Sequence, residues 1–230
     1  DALCNFLKMA GADIEGIGTS VLRICGVEML HPISFEIVPD RVVAGTYLFA
    51  AMASRGNVCL KEAPIEHLGS VIQLIKAMKS NIVIREEQRE IELCCWEGIQ
   101  NIPYVKTDIY PGFPTDMQPQ ISVTLALANG TSIVTESIFD NRFKYVDELT
   151  RMGANIKVES NIAIITGVPK YTGARVNAPD LRAGAALILT GLVAEGTTEI
   201  SDIYHIDRGY ENIEEKFRKL GAKIERVNED

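Results

Sequence analysis

Asp180-Leu-Arg-Ala-Gly-Ala-Ala-Leu-Ile-Leu-Thr-Gly-Leu-Val-Ala194 sets an acidic residue before a helix that is apolar nearly all round, and Glu195-Gly-Thr-Thr-Glu-Ile200 turns out of it into a strand. A helix with no polar face has to be buried. The pattern is written twice more, with Asp40 before Val42 to Ala53 and Asp116 before Met117 to Ala128. Those helices run into Arg55-Gly-Asn-Val58 and Asn129-Gly-Thr-Ser-Ile133. Glycine just past such a helix supplies a left-handed cap.

Between these units a second break recurs, at Met9-Ala-Gly-Ala-Asp-Ile14, Met78-Lys-Ser-Asn-Ile82, Met152-Gly-Ala-Asn-Ile156 and Leu220-Gly-Ala-Lys-Ile224. Successive copies lie about 70 residues apart, a length that suits a compact supersecondary unit. An amphipathic helix precedes the break: Ile65, Leu68, Ile72 and Ile75 share one face, as do Ile206, Tyr210, Ile213, Phe217 and Leu220. Two short strands follow it, as in Asn155 to Val158 and Ala163 to Thr166. The unit is therefore βαβαββ, and the fold class α/β (α+β). Three repeats, near 35–103, 104–172 and 173–230, are expected to pack their first helices inward and their sheets outward. The last copy has one final strand, Lys223 to Val227, where the others have two, so a segment outside this chain is expected to complete it. Residues 1–34 read as a remnant of an adjoining copy: a helix and two strands.

With 47% hydrophobic and 23% charged residues in 230, the chain has ample material for a core, and intrinsic disorder is excluded. A net charge of -8 disfavours a nucleic-acid partner. The longest apolar stretch, Ala183 to Ala194, falls short of the roughly 20 residues that a membrane helix needs. Cys4, Cys25, Cys59, Cys94 and Cys95 show no C-x-x-C spacing and read as reduced cytosolic thiols, mostly core filler. The chain opens at Asp1 with neither an initiator methionine nor a basic-then-apolar leader, as a piece of a longer protein would. His31, His67 and His205 lack metal-ligand spacing, and there is no Walker-type loop or G-x-G-x-x-G, so neither a metal nor a cofactor is expected.

Aspartates at helix starts are explained by capping. Arginines there are not. Arg41, Arg142, Arg182 and Arg208 all fall in or beside the first turn of an expected helix, where the macrodipole disfavours a cation. An anion seated at those helix starts would reverse the sign of the interaction and make the four guanidiniums one binding floor. The alternative is that each pairs with a neighbouring aspartate at the surface. Asp116 follows a rigid lead-in, Tyr110-Pro-Gly-Phe-Pro-Thr-Asp116, in which Thr115 can take over the cap and leave a free carboxylate beside the floor.

Phe113-Pro-Thr-Asp-Met-Gln118, Asp180-Leu-Arg-Ala-Gly-Ala-Ala186 and His205-Ile-Asp-Arg-Gly-Tyr-Glu211 resemble the motifs of the UDP-N-acetylglucosamine 1-carboxyvinyltransferases, within the enolpyruvyl transferase family. Thr135-Glu-Ser-Ile-Phe139, Asn141-Arg-Phe143 and Arg151-Met-Gly-Ala-Asn155 follow in the family's order, across nearly the whole chain. The shikimate-pathway relative carries different motifs. The resemblance implies two inside-out α/β barrels of three repeats each, of which this chain would be roughly the C-terminal half, the full enzyme's N-terminus supplying the missing strand.

It also implies cytoplasmic transfer of the enolpyruvyl group of phosphoenolpyruvate to the 3'-hydroxyl of UDP-N-acetylglucosamine, the first committed step of peptidoglycan synthesis. By motif position Asp116 would be the base, and Arg182 and Arg208 would hold phosphoenolpyruvate. Arg142 would line the site, Ile138 would contact the UDP-sugar through backbone atoms, and Asp180 would cap. The family's Lys-Asn pair and its loop with a proton-donating cysteine have no counterpart here, so this half alone is expected to be inactive. A UDP-sugar-binding domain, a purely structural domain and a shikimate-pathway transferase are the competing readings.

Overall fold

In the computed structural model, which describes residues 1–227, the chain divides into two units, Asp1–Pro39 and Asp40 onward. The first holds helix α1 (Ala2–Met9) and an antiparallel pair, β1 (Asp13–Glu15) and β2 (Arg23–Cys25), the helix and two strands anticipated there. The first repeat, read as beginning near residue 35 with a strand, has none before α2 (Arg41–Ala53). Alternation alone makes no strand: the ladder needs a partner, and Ile37 is exposed.

The second unit opens with α2 (Arg41–Ala53), β3 (Asn57–Leu60), α3 (Gly69–Ala77), β4 (Asn81–Arg85) and β5 (Glu90–Cys94). It continues with β6 (Tyr104–Lys106), α4 (Gln118–Leu125), β7 (Thr131–Thr135), α5 (Val146–Arg151), β8 (Asn155–Glu159) and β9 (Ile162–Thr166). It ends with β10 (Arg175–Asn177), α6 (Leu181–Val193), β11 (Glu199–Ser201), α7 (Tyr204–Asp207) and α8 (Ile213–Lys219).

The acidic residues do cap. Asp40 Oδ1 accepts from the backbone N–H of Val42 at 2.6 Å and of Val43 at 3.3 Å, and Asp180 Oδ1 accepts from those of Arg182 at 2.8 Å and Ala183 at 2.9 Å. Each such cap stabilises its helix by about 1 kcal/mol. The recurring break is a left-handed turn: Gly153 follows α5 with φ 94, and Lys79 takes the same place after α3 with φ 57, against the preference of a side-chain-bearing residue. After α2 the left-handed residue is Arg55 (φ 52) and not the expected Gly56.

Helices α2, α4 and α6 pack against one another and are largely buried; α2 also touches β3 and β5, α4 touches β7 and β9, and α6 touches β11. The sheets are β3-β5-β4, β6-β7-β9-β8 and β10-β11. Pairs β6/β7 and β10/β11 are parallel, each joined through the buried helix between its strands, as a parallel crossover requires. The remaining pairs are antiparallel.

Three expectations need correction. Helix α4 is not apolar: Gln118, Gln120, Ser122 and Thr124 are fully buried on it. Its polar groups are largely met from inside, with Ser122 Oγ donating to the Gln118 carbonyl at 2.9 Å and Tyr145 OH to Gln118 Oε1 at 3.1 Å. Gln120 Nε2 donates to Thr46 Oγ1 at 3.2 Å, and that hydroxyl also bonds Tyr210 OH at 2.8 Å. Second, the helix read through Ile206 to Leu220 is two short helices, broken at Asn212 in left-handed conformation (φ 47). Third, Lys223 to Val227 forms no strand. Arg226 holds this segment to Asp207 at 2.7 Å and Glu214 at 2.9 Å, and the free side of β11 borders a groove of about 1020 Å³ lined by Ile188, Leu192, Ile200 and Ile213.

Among the cysteines only Cys95 is buried; Cys25 and Cys59 are exposed and Cys4 and Cys94 half-buried, so core filling describes one of them. All five are free. Among the described residues no helix is long and apolar enough to cross a membrane.

Burial raises the phenols of Tyr145, Tyr171 and Tyr210 above their ordinary value, and pushes Tyr47, with Tyr210 nearby, up to about 12. A raised folded-state pKa gives stability that is complete below the unfolded value, near pH 10, and is lost as pH climbs through the folded value. The urea midpoint is expected to be insensitive to these tyrosines from pH 7 to 9.5 and to fall steeply above pH 10. A midpoint unchanged at pH 11.5 would contradict their burial as neutral groups.

Candidate active site

Asp116 occupies the place that in α2 and α6 belongs to a cap, yet its side chain caps nothing. The reason lies one residue on. Thr115–Met117 forms a single 3-10 turn, and Met117 is driven fully into the core against Gly45 of α2. A Cβ at position 45 would lie 2.4 Å from Met117 Sδ, so the end of the Met117 side chain fills the space that glycine leaves open. With Met117 anchored below, the Asp116 carboxyl stays 40% exposed. Its lead-in is closed at its base, where the Asp108 N–H donates to the Phe113 carbonyl at 2.9 Å. Thr115 does not cap either; its hydroxyl donates to Glu136 Oε2 at 3.0 Å.

Nor is the carboxylate free, as the sequence suggested. Arg142 Nη2 donates to Asp116 Oδ1 at 2.6 Å and Arg182 Nη2 to Oδ2 at 3.1 Å. The two guanidiniums come from separate elements. Arg182 is the second residue of α6, its backbone N–H fixed by the Asp180 cap. Arg142 opens the 3-10 turn Arg142–Tyr145 after left-handed Asn141, and its guanidinium also donates to the Thr115 carbonyl from Nε at 3.2 Å and Nη2 at 3.1 Å. Phe139 lies over it, 5.2 Å from ring centre to guanidinium carbon. The Arg142 and Arg182 side chains are only 10% and 20% exposed, and at such depth charge-assisted bonds are stronger than at an open surface.

The other two arginines form no ion pair with Asp116. Arg41 stacks over the Tyr110 ring at 5.0 Å. Arg208 is exposed and ends α7 instead of opening a helix, a favourable place for a cation. Its neighbour Gly209 packs on Leu181, where a Cβ would come within 2.9 Å of Leu181 Cδ2, which brings the chain after α7 to the first turn of α6. His205 stacks on Tyr204 at 4.1 Å. Ile138 is exposed, but its N–H donates to Glu136 Oε1 at 2.9 Å, so of its backbone polar atoms the carbonyl is the one left for a ligand.

Glu136 was missed as a contributor. Its signal was the strand period: Ser132 and Val134 of β7 are buried, and two residues further on so is Glu136. Chemically, a carboxylate beside two guanidiniums offers a proton acceptor next to donors for an anionic ligand. An incoming carboxylate or phosphate would compete with Asp116 for those donors.

A family model described as EPSP synthase (3-phosphoshikimate 1-carboxyvinyltransferase) matches residues 1–217. The chain is 50% identical over 226 residues to a UDP-N-acetylglucosamine 1-carboxyvinyltransferase of Caldanaerobacter subterraneus subsp. tengcongensis, covering 97% of this chain and 53% of the relative. It is 48% identical over 225 residues to one from Clostridium botulinum, covering 98% and 53%. The chain thus spans about half the length of the curated relatives it matches. Among solved structures, the enolpyruvyl transferase NikO from Streptomyces tendae superposes with a TM-score of 0.85 at 26% identity, over 96% of this chain and 52% of that one. EPSP synthase from Acinetobacter baumannii shares the fold, with a TM-score of 0.73 at 17% identity over 98% and 56%.

Proposed function

The chain belongs to the EPSP synthase family, and from that premise we propose that it is the C-terminal half of a cytoplasmic UDP-N-acetylglucosamine 1-carboxyvinyltransferase serving peptidoglycan synthesis. The reaction moves the enolpyruvyl group of phosphoenolpyruvate to the sugar's 3'-hydroxyl and releases phosphate. Support comes from curated relatives of that name at 50% and 48% identity. The observation that carries the reading is one carboxylate gripped on both oxygens by guanidiniums from two elements, Arg142 and Arg182.

In this reading Asp116 contacts the 3'-hydroxyl and accepts its proton as the oxygen adds to the double bond; phosphate then leaves the addition intermediate as its methyl carbon gives up a proton, which restores the double bond. Arg182 and Arg208 hold the anionic groups of phosphoenolpyruvate and offset charge in the transition state. As those groups take over the donors of Arg182, the Asp116 carboxylate becomes available to the sugar. Arg142 lines the site and keeps Asp116 in place through the Thr115 carbonyl. Ile138 meets the UDP-sugar through its carbonyl and side chain. The proton for the other end of the double bond comes from a group outside this chain.

The domain organisation belongs to the same proposal: three repeats, near 35–103, 104–172 and 173–230, of which the middle one shows the whole βαβαββ order, form an inside-out α/β barrel, and residues 1–34 belong to an adjoining one. The N-terminal half of the enzyme is the missing partner, and a strand from it would fill the groove beside β11. The full-length protein is expected to release phosphate from phosphoenolpyruvate only when UDP-N-acetylglucosamine is present. Release dependent on shikimate 3-phosphate instead, or none with either acceptor, would overturn the proposal.

A further inference from the structure

Glu136 is the one charged side chain buried among the described residues, at 2% exposure, and it forms no ion pair there. A carboxylate in such a place is costly unless donors surround it. Four do. Oε1 accepts from Thr107 Oγ1 at 2.8 Å, from the Ile138 N–H at 2.9 Å and from the Phe139 N–H at 3.1 Å. Oε2 accepts from Thr115 Oγ1 at 3.0 Å. Its own backbone is pinned to Asn161, whose carbonyl accepts from the Glu136 N–H at 2.8 Å and whose side-chain amide donates to the Glu136 carbonyl at 2.9 Å.

The donors come from three separate segments: the residue after β6, the turn that carries Asp116, and the loop after β7. Two of them flank Arg142, which donates to the Thr115 carbonyl on one side and lies against the Phe139 ring on the other. The carboxylate thus sets the distance between the Asp116 turn and the Ile138–Phe139 loop without touching Asp116 or Arg142. We propose that Glu136 is a positioning residue that holds the base-bearing turn and the sugar-binding loop in one register. The roles of turn and loop rest on the functional reading above.

The geometry separates this role from plain packing. In Glu136→Gln the oxygen can stay at the three-donor end, while the new amide faces Thr115, whose hydroxyl turns and accepts. The register survives. In Thr115→Val the shape is kept, but the tie to the turn is cut, and the other three donors remain satisfied.

In the full-length protein, Thr115→Val is expected to lower kcat about tenfold, the scale of one net hydrogen bond, with KM for phosphoenolpyruvate within about twofold on the same scale. Glu136→Gln should stay within about threefold of wild type by that measure. Hydrogen exchange gives a readout independent of turnover: Thr115→Val should speed exchange at Met117 and Gln118, whose N–H groups donate to the Pro114 and Thr115 carbonyls, while Ile138 and Phe139 stay protected, and Glu136→Ala should release both segments together. A wild-type rate and wild-type exchange at Met117 and Gln118 in Thr115→Val would overturn the proposal. So would loss of both segments' protection in Glu136→Gln. Wild-type protein that neither binds the sugar nor turns over defeats the functional reading instead, and the exchange pattern still decides the positioning role.

Discussion

Full-length protein carrying Asp116→Asn is expected to lose about a thousandfold or more in kcat, since a positioned base contributes on the order of 10² to 10⁴. Asparagine fills the same space and can still accept one bond from Arg142 or Arg182 through its oxygen, so the turn before α4 should keep its place. What it lacks is a group that can take the 3'-hydroxyl proton. KM for UDP-N-acetylglucosamine should therefore change much less than kcat, the signature of a group whose contribution is made in the transition state. Steady-state phosphate release, with both substrates varied, measures the split. Wild-type kcat in Asp116→Asn would remove Asp116 from the chemistry and leave it as a counter-ion for the two arginines.

Arg182→Ala should cost about 10² to 10³ in kcat/KM for phosphoenolpyruvate, the usual scale for removing a preorganised donor from developing charge. The size of the effect follows from how firmly the residue is held. Its N–H is fixed by the Asp180 cap at 2.8 Å, its side chain is 20% exposed, and its guanidinium already carries one anion, Asp116. Arg182→Lys should recover only part of the loss, because an ammonium presents a point charge where the guanidinium presents a fork. Asp180→Ala is the companion variant: it leaves the guanidinium intact but frees the helix start, and should give an intermediate loss. Equal kinetics for Arg182→Ala and wild type would show that phosphoenolpyruvate binds away from the start of α6.

Much of this was readable from residue order, and what was not has identifiable causes. Helices α2 and α6 announced themselves because Asp40 and Asp180 cap runs with no polar face. Helix α4 was read on that template and departs from it: Gln118, Gln120, Ser122 and Thr124 are polar, and Tyr145 and Thr46, distant in sequence, meet part of their polar groups inside the core. Pairing of Asp116 with Arg142 and Arg182 spans 26 and 66 positions, and no local pattern specifies which arginine reaches which carboxylate. Arg208 was misplaced for a local reason. The apolar stride from Ile206 to Leu220 continues across Gly209 and left-handed Asn212, where the backbone breaks, so the residue ends one helix instead of starting another. The strand anticipated at Lys223 to Val227 has side-chain alternation but no ladder, since strand identity resides in the neighbour as much as in the sequence. Glu136 could have been found by continuing the alternation of β7 two residues past buried Val134, just beyond the strand's end, which turns an acidic residue inward.

The most direct measurement is a crystal structure of the full-length protein with UDP-N-acetylglucosamine bound. The sugar's 3'-oxygen should lie within about 2.6 to 3.2 Å of an Asp116 carboxylate oxygen, the reach that proton abstraction needs, with the Ile138 carbonyl or side chain against the nucleotide sugar. A sugar bound with its 3'-oxygen far from Asp116, and with Asp116 still closed between Arg142 and Arg182, would contradict the assignment of this cluster as the catalytic centre.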